Sequence, residues 1–428
     1  MGRNHHWKTG SLLCLVLSLL LAGPGSATAR AAGSAAPHKK TSAHKTAAGK
    51  ATVRTVSTRS HSAAASTKTI RTTRTSISSR SRVRATHAVL TVHRTRHRYY
   101  ERFTGNSFTS DLTQGDVTAG EDPVVRQAAI EALGNMNGTA LAIDPSNGRI
   151  LAMVNQKLAL SSGAEPCSTI KLAVSLAALD EGLITKDTPV NIGGHTMMTL
   201  TTALAKSINP YFETLGRELG FERVKHYANE FGLGELAGYN IEGEQLGVYP
   251  DQPLPDSKGG VGRMCSFGES ISMTPLQLGA LVTAMANGGT LYYLQHPETP
   301  EEVADFRPMV KRTLDIAPLV PEMRDGMEGA VNYGTARSLR ATFHEFPVMG
   351  KTGTCSNDGT RFGWFASYAN TPNGSIVTVI FIEGGRPSFG PHAAELTGKF
   401  YRALWDSDYF ESKSPQVAET GFRVSPAN

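Results

Sequence analysis

The sequence predicts an α+β domain: an antiparallel sheet built from both ends of the domain, flanked by helices, with a mostly helical subdomain inserted at about 160–325. Three observations predict it. A hairpin pattern surrounds Asp144-Pro145-Ser146-Asn147-Gly148, helix-like patterns broken by Gly and Pro fill the middle, and short runs rich in β-branched and aromatic residues return late in the chain.

The elements follow in order. MGRNHHWKTG carries Arg3 and Lys8 and no acid, SLLCLVLSLLLAG is apolar, and Ala27-Thr28-Ala29 offers an A-x-A site. Residues 1–29 therefore read as a signal peptide or, uncleaved, a membrane anchor, and the rest of the chain as exported to the periplasm or cell envelope, held at the inner membrane if the anchor stays. The apolar run is short against the roughly 20 residues a spanning helix needs, which favours cleavage.

Residues 30–100 hold 16 Lys and Arg and no Asp or Glu, whereas residues 101–428 hold 25 cations against 37 acids. The net charge of +6 thus describes a tail and not the fold. With no hydrophobic periodicity, the basic Ser/Thr/Ala-rich segment is expected to be disordered. It serves either as a solvated spacer or as an electrostatic contact to an anionic envelope surface, and export argues against nucleic acid. Beyond the signal stand Cys167, Cys265 and Cys355. In an oxidising compartment, one disulfide with a free thiol and three separate buried thiols both fit.

The folded region is placed at 101–410, with a tail at 411–428. DPVVRQAAIEALG has helical spacing, with Val125, Ala128, Ile130 and Leu133 as a buried face. GTALAIDPSNGRILAMVN reads as the hairpin. SMTPLQLGALVTAMANGG is a helix started by Thr274-Pro275 and stopped by Asn287-Gly288-Gly289. FPVMGKTGTCS, RFGWFASYAN and GSIVTVIFIEGG are strands, and AAELTGKFYRALW is a closing helix.

The chemistry begins at PCSTIKLAVSLAALDEG. Almost no polar face separates Lys171 from Asp180, so the helix is buried on most sides, with Ser168 in its first turn. Lys171 follows three residues later on the same face, close enough to touch the hydroxyl. A lysine pressed against apolar walls loses its proton more readily and can then deprotonate a serine. Ser207-Ile208-Asn209 lies in a break between helical patterns, where a hydroxyl and an amide could pass a proton and hold a carbonyl. Lys351-Thr352-Gly353-Thr354 opens a strand, with small residues beside a cation that suits a carboxylate. Each triplet alone is weak: Lys8-Thr9-Gly10 in the signal segment is the same three letters as the last.

Taken together, S-x-x-K, S-x-N and K-T-G, in order and in fitting contexts, resemble the penicillin-binding protein transpeptidase domain. AIDPSNGRILAMV, SFGESISMTPLQLGALVTAMANGG and YGTAR look like that family too, so the resemblance covers about 130–405. It implies acyl transfer on D-alanyl-D-alanine peptides of peptidoglycan, covalent β-lactam binding, and no metal or cofactor. Ser168 would be the acylated nucleophile and Lys171 its base. Ser207 would relay a proton, Asn209 would hold the peptide amide, and Lys351 would tune the network. Thr352 and Thr354 would bind the terminal carboxylate, with Gly353 leaving room for substrate, and the backbone N–H groups of Ser168 and Thr354 would form an oxyanion hole. With a basic tail where familiar members carry a transglycosylase domain or a large dimerisation module, no glycosyl transfer is expected of this chain, and a separate glycosyltransferase would be the partner. Cys167 departs from the family, standing where glycine is common. A serine β-lactamase would need a deacylating glutamate in E-x-x-L-N, and the acids at 242–244 lie instead in IEGEQLG. D,D-carboxypeptidase activity, which differs only in the acceptor, and a non-enzymatic penicillin-binding scaffold or sensor are the remaining alternatives.

Overall fold

The computed structural model describes residues 102–371 and 374–411. The signal segment 1–29, the basic segment 30–100 and residues 412–428 of the tail lie outside the described residues.

The strands are β1 (Gly138–Asp144), β2 (Arg149–Val154), β3 (Val190–Asn191), β4 (Met197–Met198), β5 (Thr290–Tyr293), β6 (Met309–Thr313), β7 (Val348–Asn357), β8 (Thr360–Thr371) and β9 (Gly374–Gly384). Helices α1 (Pro123–Leu133), α2 (Gln156–Ala159), α3 (Lys171–Asp180), α4 (Leu200–Lys206), α5 (Asn209–Leu219) and α6 (Phe221–Glu230) occupy the first half. They are followed by α7 (Gly260–Phe267), α8 (Pro275–Asn287), α9 (Pro300–Ala304), α10 (Val320–Asn332) and α11 (Gly390–Asp406).

Five strands form one antiparallel sheet in the order β2-β1-β9-β8-β7. The early hairpin joins the late strands through β1 and β9, where Gly138 faces Ile382 and Ile143 faces Val377. Both ends of the domain therefore build the sheet, as expected, and everything from α3 to α10 is inserted between them. Side chains alternate across a strand, so each strand feeds two cores. On β8, Trp364, Ala366 and Tyr368 enter the core shared with α3, α5 and α8, while Phe365 and Ala369 enter the core under α1 and α11.

Local chemistry explains the boundaries. Asp122 caps α1 by accepting from the N–H groups of Val124 and Val125. Thr274 and Gln277 form a capping box at the start of α8, with Pro275 at its first position, and Gly288 ends the helix in a left-handed conformation. In α1 the buried set is Val125, Ala128, Ala129, Ala132 and Leu133; Ile130 is only partly buried at its edge.

The inserted region is mostly helical, as expected, and also holds two small antiparallel pairs, β3 with β4 and β5 with β6. One expectation is corrected. Ser168 does not lie in an α-helical turn. Residues Cys167–Ile170 form a 3₁₀ turn, and the α-helix starts at Lys171. The reason is that Thr169 closes a tighter loop on Pro166, its N–H and its hydroxyl both donating to the Pro166 carbonyl at 3.1 and 2.6 Å.

Candidate active site

The turn carrying Ser168 is held to the edge of the sheet. Cys167 forms a disulfide with Cys355, one residue past Thr354 on β7, and Cys265 remains a free buried thiol. This selects one disulfide plus one thiol over three separate thiols. Beside it, Trp364 Nε1 on β8 donates to the Glu165 carbonyl at 3.0 Å. Gly353 lets the turn press onto β7: a Cβ there would stand 2.9 Å from the Pro166 carbonyl oxygen and 3.1 Å from the Trp364 Cβ. Cys167 itself has φ 51°, the left-handed region. A glycine would adopt that conformation without strain, whereas a cysteine there costs about 1 kcal/mol, offset by its covalent tie.

Ser168 is half-buried and Lys171 fully buried. The Lys171 Nζ lies 2.6 Å from Ser168 Oγ, 2.8 Å from Asn209 Oδ1 and 2.5 Å from the Ser266 carbonyl oxygen at the end of α7. The rings of Phe212 and Phe267 stand 5.4 and 5.9 Å from the same nitrogen. Burial, reinforced by the charge of Lys351 and opposed by Glu213, holds the Lys171 ammonium well below the ordinary lysine range.

That neighbourhood fits a neutral amine. Two of the three partners, an amide oxygen and a peptide carbonyl, only accept hydrogen bonds; the third is a hydroxyl that can donate. A neutral amine has two N–H bonds for the first two and one lone pair for the third. In that neutral state the lone pair is available to accept the Ser168 proton.

Ser207 ends α4 in the left-handed conformation, φ 55°, and Asn209 opens α5 two residues on, so the Ser-x-Asn triplet is a sharp corner between helices. Lys351, fully buried on β7, donates from Nζ to Ser207 Oγ at 2.8 Å and to the Thr352 carbonyl at 2.9 Å. Burial pushes its pKa down to about 7. The Thr352 hydroxyl pairs with that of Thr335 at 2.7 Å, and Thr354 Oγ1 accepts the Gly390 N–H at 2.8 Å at the start of α11.

All eight residues singled out from sequence thus surround one cleft, formed by Ser168, Lys171, Ser207, Asn209, Lys351, Thr352, Gly353 and Thr354. Sequence reasoning missed the Ser266 carbonyl, the Thr335 hydroxyl and the Trp364 indole. A backbone carbonyl leaves no trace in residue identity; SFGES and YGTAR were visible as similar stretches, but nothing in them assigned a contact. Glu244, among the acids weighed for water activation, is committed elsewhere, its carboxylate accepting the N–H groups of Ala237 and Gly238.

A family model described as the penicillin binding protein transpeptidase domain matches residues 138–402. Stage V sporulation protein D of Bacillus subtilis is 27% identical over 315 residues, covering 61% of this chain and 48% of that protein. Peptidoglycan D,D-transpeptidase FtsI of Escherichia coli K12 is 27% identical over 288 residues, covering 57% of this chain and 47% of that one. The chain therefore spans about half the length of these curated relatives. A solved structure described as a peptidoglycan glycosyltransferase from Burkholderia ambifaria shares the fold, with a TM-score of 0.56 at 23% identity, over 69% of this chain and 98% of that one.

Proposed function

This chain belongs to the penicillin-binding protein transpeptidase family, and on that premise we propose that it is a serine D,D-transpeptidase. It cleaves D-alanyl-D-alanine peptides of peptidoglycan and passes the acyl group to an amine on a neighbouring strand. The observation that carries the reading is the Lys171 amine, with two acceptors and the Ser168 hydroxyl around it.

The steps follow from that geometry. Neutral Lys171 takes the Ser168 proton as Oγ attacks the penultimate alanyl carbonyl. The N–H groups of Ser168 and Thr354 stabilise the oxyanion, and Thr352 and Thr354 hold the terminal carboxylate. On collapse the C–N bond breaks, and the leaving amine takes a proton through Ser207, whose hydroxyl receives one from Lys351. Asn209 anchors Lys171 and presents its amide to the peptide. Deacylation reverses the roles: Ser207 passes a proton from the incoming amine to Lys351 as the new C–N bond forms, and Lys171 returns its proton to Ser168 Oγ as the ester C–O bond breaks. β7 lies at the edge of the sheet, so its free side suits an extended peptide.

Within the same proposal, residues 1–29 are the export signal or anchor, the site works in the cell envelope, and a separate glycosyltransferase supplies the glycan strands. Residues 30–100 contact an anionic surface; envelope retention that is unchanged at low salt after their deletion would leave them a spacer.

The test is fluorescent penicillin labelling followed by product analysis. Wild type should form a stable adduct that Ser168→Ala abolishes, and a purified precursor should yield cross-linked dimer with released D-alanine. A label that survives in Ser168→Ala sinks the assignment. Release of D-alanine without dimer makes the chain a carboxypeptidase, and rapid penicillin turnover a β-lactamase.

A further inference from the structure

A groove of about 840 Å³ opens beside the K-T-G strand, walled by Lys206, Tyr333, Thr335, Arg337, Arg340 and Pro391. It adjoins the serine network at three points. Lys206 immediately precedes Ser207, Thr335 shares its hydroxyl with Thr352, and Pro391 follows Gly390, whose N–H is on Thr354 Oγ1.

Its charge runs against the rest of the domain. Residues 101–428 carry 25 cations and 37 acids, yet the groove is lined by three cations and no acid. Arg340 has a structural role, donating to the carbonyls of Phe343 and Phe346 and to Asn332 Oδ1. Lys206 and Arg337 are exposed, and among the described residues no carboxylate lies within ion-pairing distance of either. Tyr333, 55% exposed, adds an aromatic face.

The walls are fixed relative to one another. The Thr335 N–H donates to the Ala205 carbonyl at 3.1 Å, the Ala336 N–H to the Ala330 carbonyl at 2.8 Å, and Ser338 Oγ to the Pro391 carbonyl. The loop bearing Arg337 is thereby tied to α4, α10 and α11 at once. Its cations are presented on a preformed surface, and binding there requires little loop ordering.

We propose that this groove is a second anion subsite: Lys206 and Arg337 bind a side-chain carboxylate of the peptide substrate, beyond the terminal carboxylate that Thr352 and Thr354 take, and Tyr333 supports the aliphatic part of that side chain. The inference rests on the acyl-transfer reading. An arginine fork and a lysine ammonium together match a carboxylate with charge-assisted hydrogen bonds, and a carboxamide in the same place forgoes the charge. The groove therefore discriminates between acidic and amidated peptides.

The experiment uses two D-alanyl-D-alanine peptides that differ only in a side-chain carboxylate or carboxamide on the residue preceding the alanines, with D-alanine release measured for the full chain. Wild type should prefer the acidic peptide by about ten-fold in kcat/KM, as a charge-assisted contact predicts. Arg337→Glu and Lys206→Glu should abolish or invert the preference, Arg337→Gln should reduce it, and raised salt should weaken it in wild type. Equal rates on both peptides in wild type, or equal falls on both in the variants, would overturn the subsite. Penicillin labelling of wild type separates the two failures: no adduct sinks the acyl-transfer reading, whereas an adduct with no peptide preference sinks only the groove.

Discussion

The two walls of the cleft are held together by different chemistry. On the strand side, the Ser168 turn is joined to β7 and β8 by a disulfide, an indole hydrogen bond and the close approach at Gly353. On the helical side, the Ser207–Asn209 corner and the end of α7 are reached by two lysine side chains, Lys171 contacting Asn209 and Ser266, and Lys351 contacting Ser207. The proposed nucleophile and the proposed oxyanion donors thus share one covalently tied block. Alignment across the cleft depends instead on two buried amines, both of which burial disfavours in the charged form. Attack geometry and proton traffic are separable properties of the site.

Cutting the covalent tie has the largest expected effect. The disulfide spans a sequence separation of 188, and the loop-entropy relation gives about 5 kcal/mol for such a closure. Cys167→Ser with Cys355→Ser should lower the stability measured by urea unfolding toward that extent. Cys167→Gly with Cys355→Ser should recover about 1 kcal/mol of it, because glycine accepts the left-handed backbone at 167. If the two double variants were equally stable, strain at Cys167 would have no part in the comparison.

Removing a cross-cleft amine comes next. Lys171→Met keeps the apolar contacts with Phe212 and Phe267 and removes the base, so acylation by penicillin should slow by about 10³-fold, or about 4 kcal/mol in the barrier, with little change in unfolding. A loss under ten-fold would assign the base to another group.

The smallest effect is a slope. Lys351 is held at about 7 in the folded chain and returns to the ordinary lysine value when unfolded. Between those values the unfolded state binds one more proton than the folded state, so stability rises with pH by up to about 1.4 kcal/mol per unit. Lys171, also depressed, adds to the same direction. Below about 7 both states hold the Lys351 proton and its contribution to the slope vanishes. Lys351→Met should flatten the rise between pH 7 and 10 in thermal unfolding; an unchanged slope would place the titration elsewhere.

Much of this was legible in the sequence because it is local. Asp144 to Gly148 made the hairpin turn, Thr274-Pro275 started α8, and Ser168 and Lys171 met because a helical turn brings positions three apart together. The 3₁₀ geometry at Ser168 was not legible, since it depends on how Thr169 closes on Pro166 and how both pack under Gly353. Nor was the partner of Cys167: three thiols allow several pairings, and only the sheet register that sets β7 against the turn selects one. The Ser266 carbonyl was invisible for a simpler reason, being present in every residue. Sequence patterns named the side chains of the site, and long-range packing supplied the rest.

Cys265 lies between Cys167 and Cys355 along the chain, so it is made before the correct partner of Cys167 and is the nearer thiol in sequence. In the folded chain it is wholly buried on α7 against α5, with its thiol pushed up to about 12 by burial. The space it fills exists because residue 216 is glycine; a Cβ there would stand 2.6 Å from the Cys265 sulfur. Thiol–disulfide exchange needs an accessible thiolate, and this contact denies it both access and charge. The absence of one methyl group on α5 thus leaves room for the remaining thiol to be shut away from the tie beside Ser168 once the chain is folded.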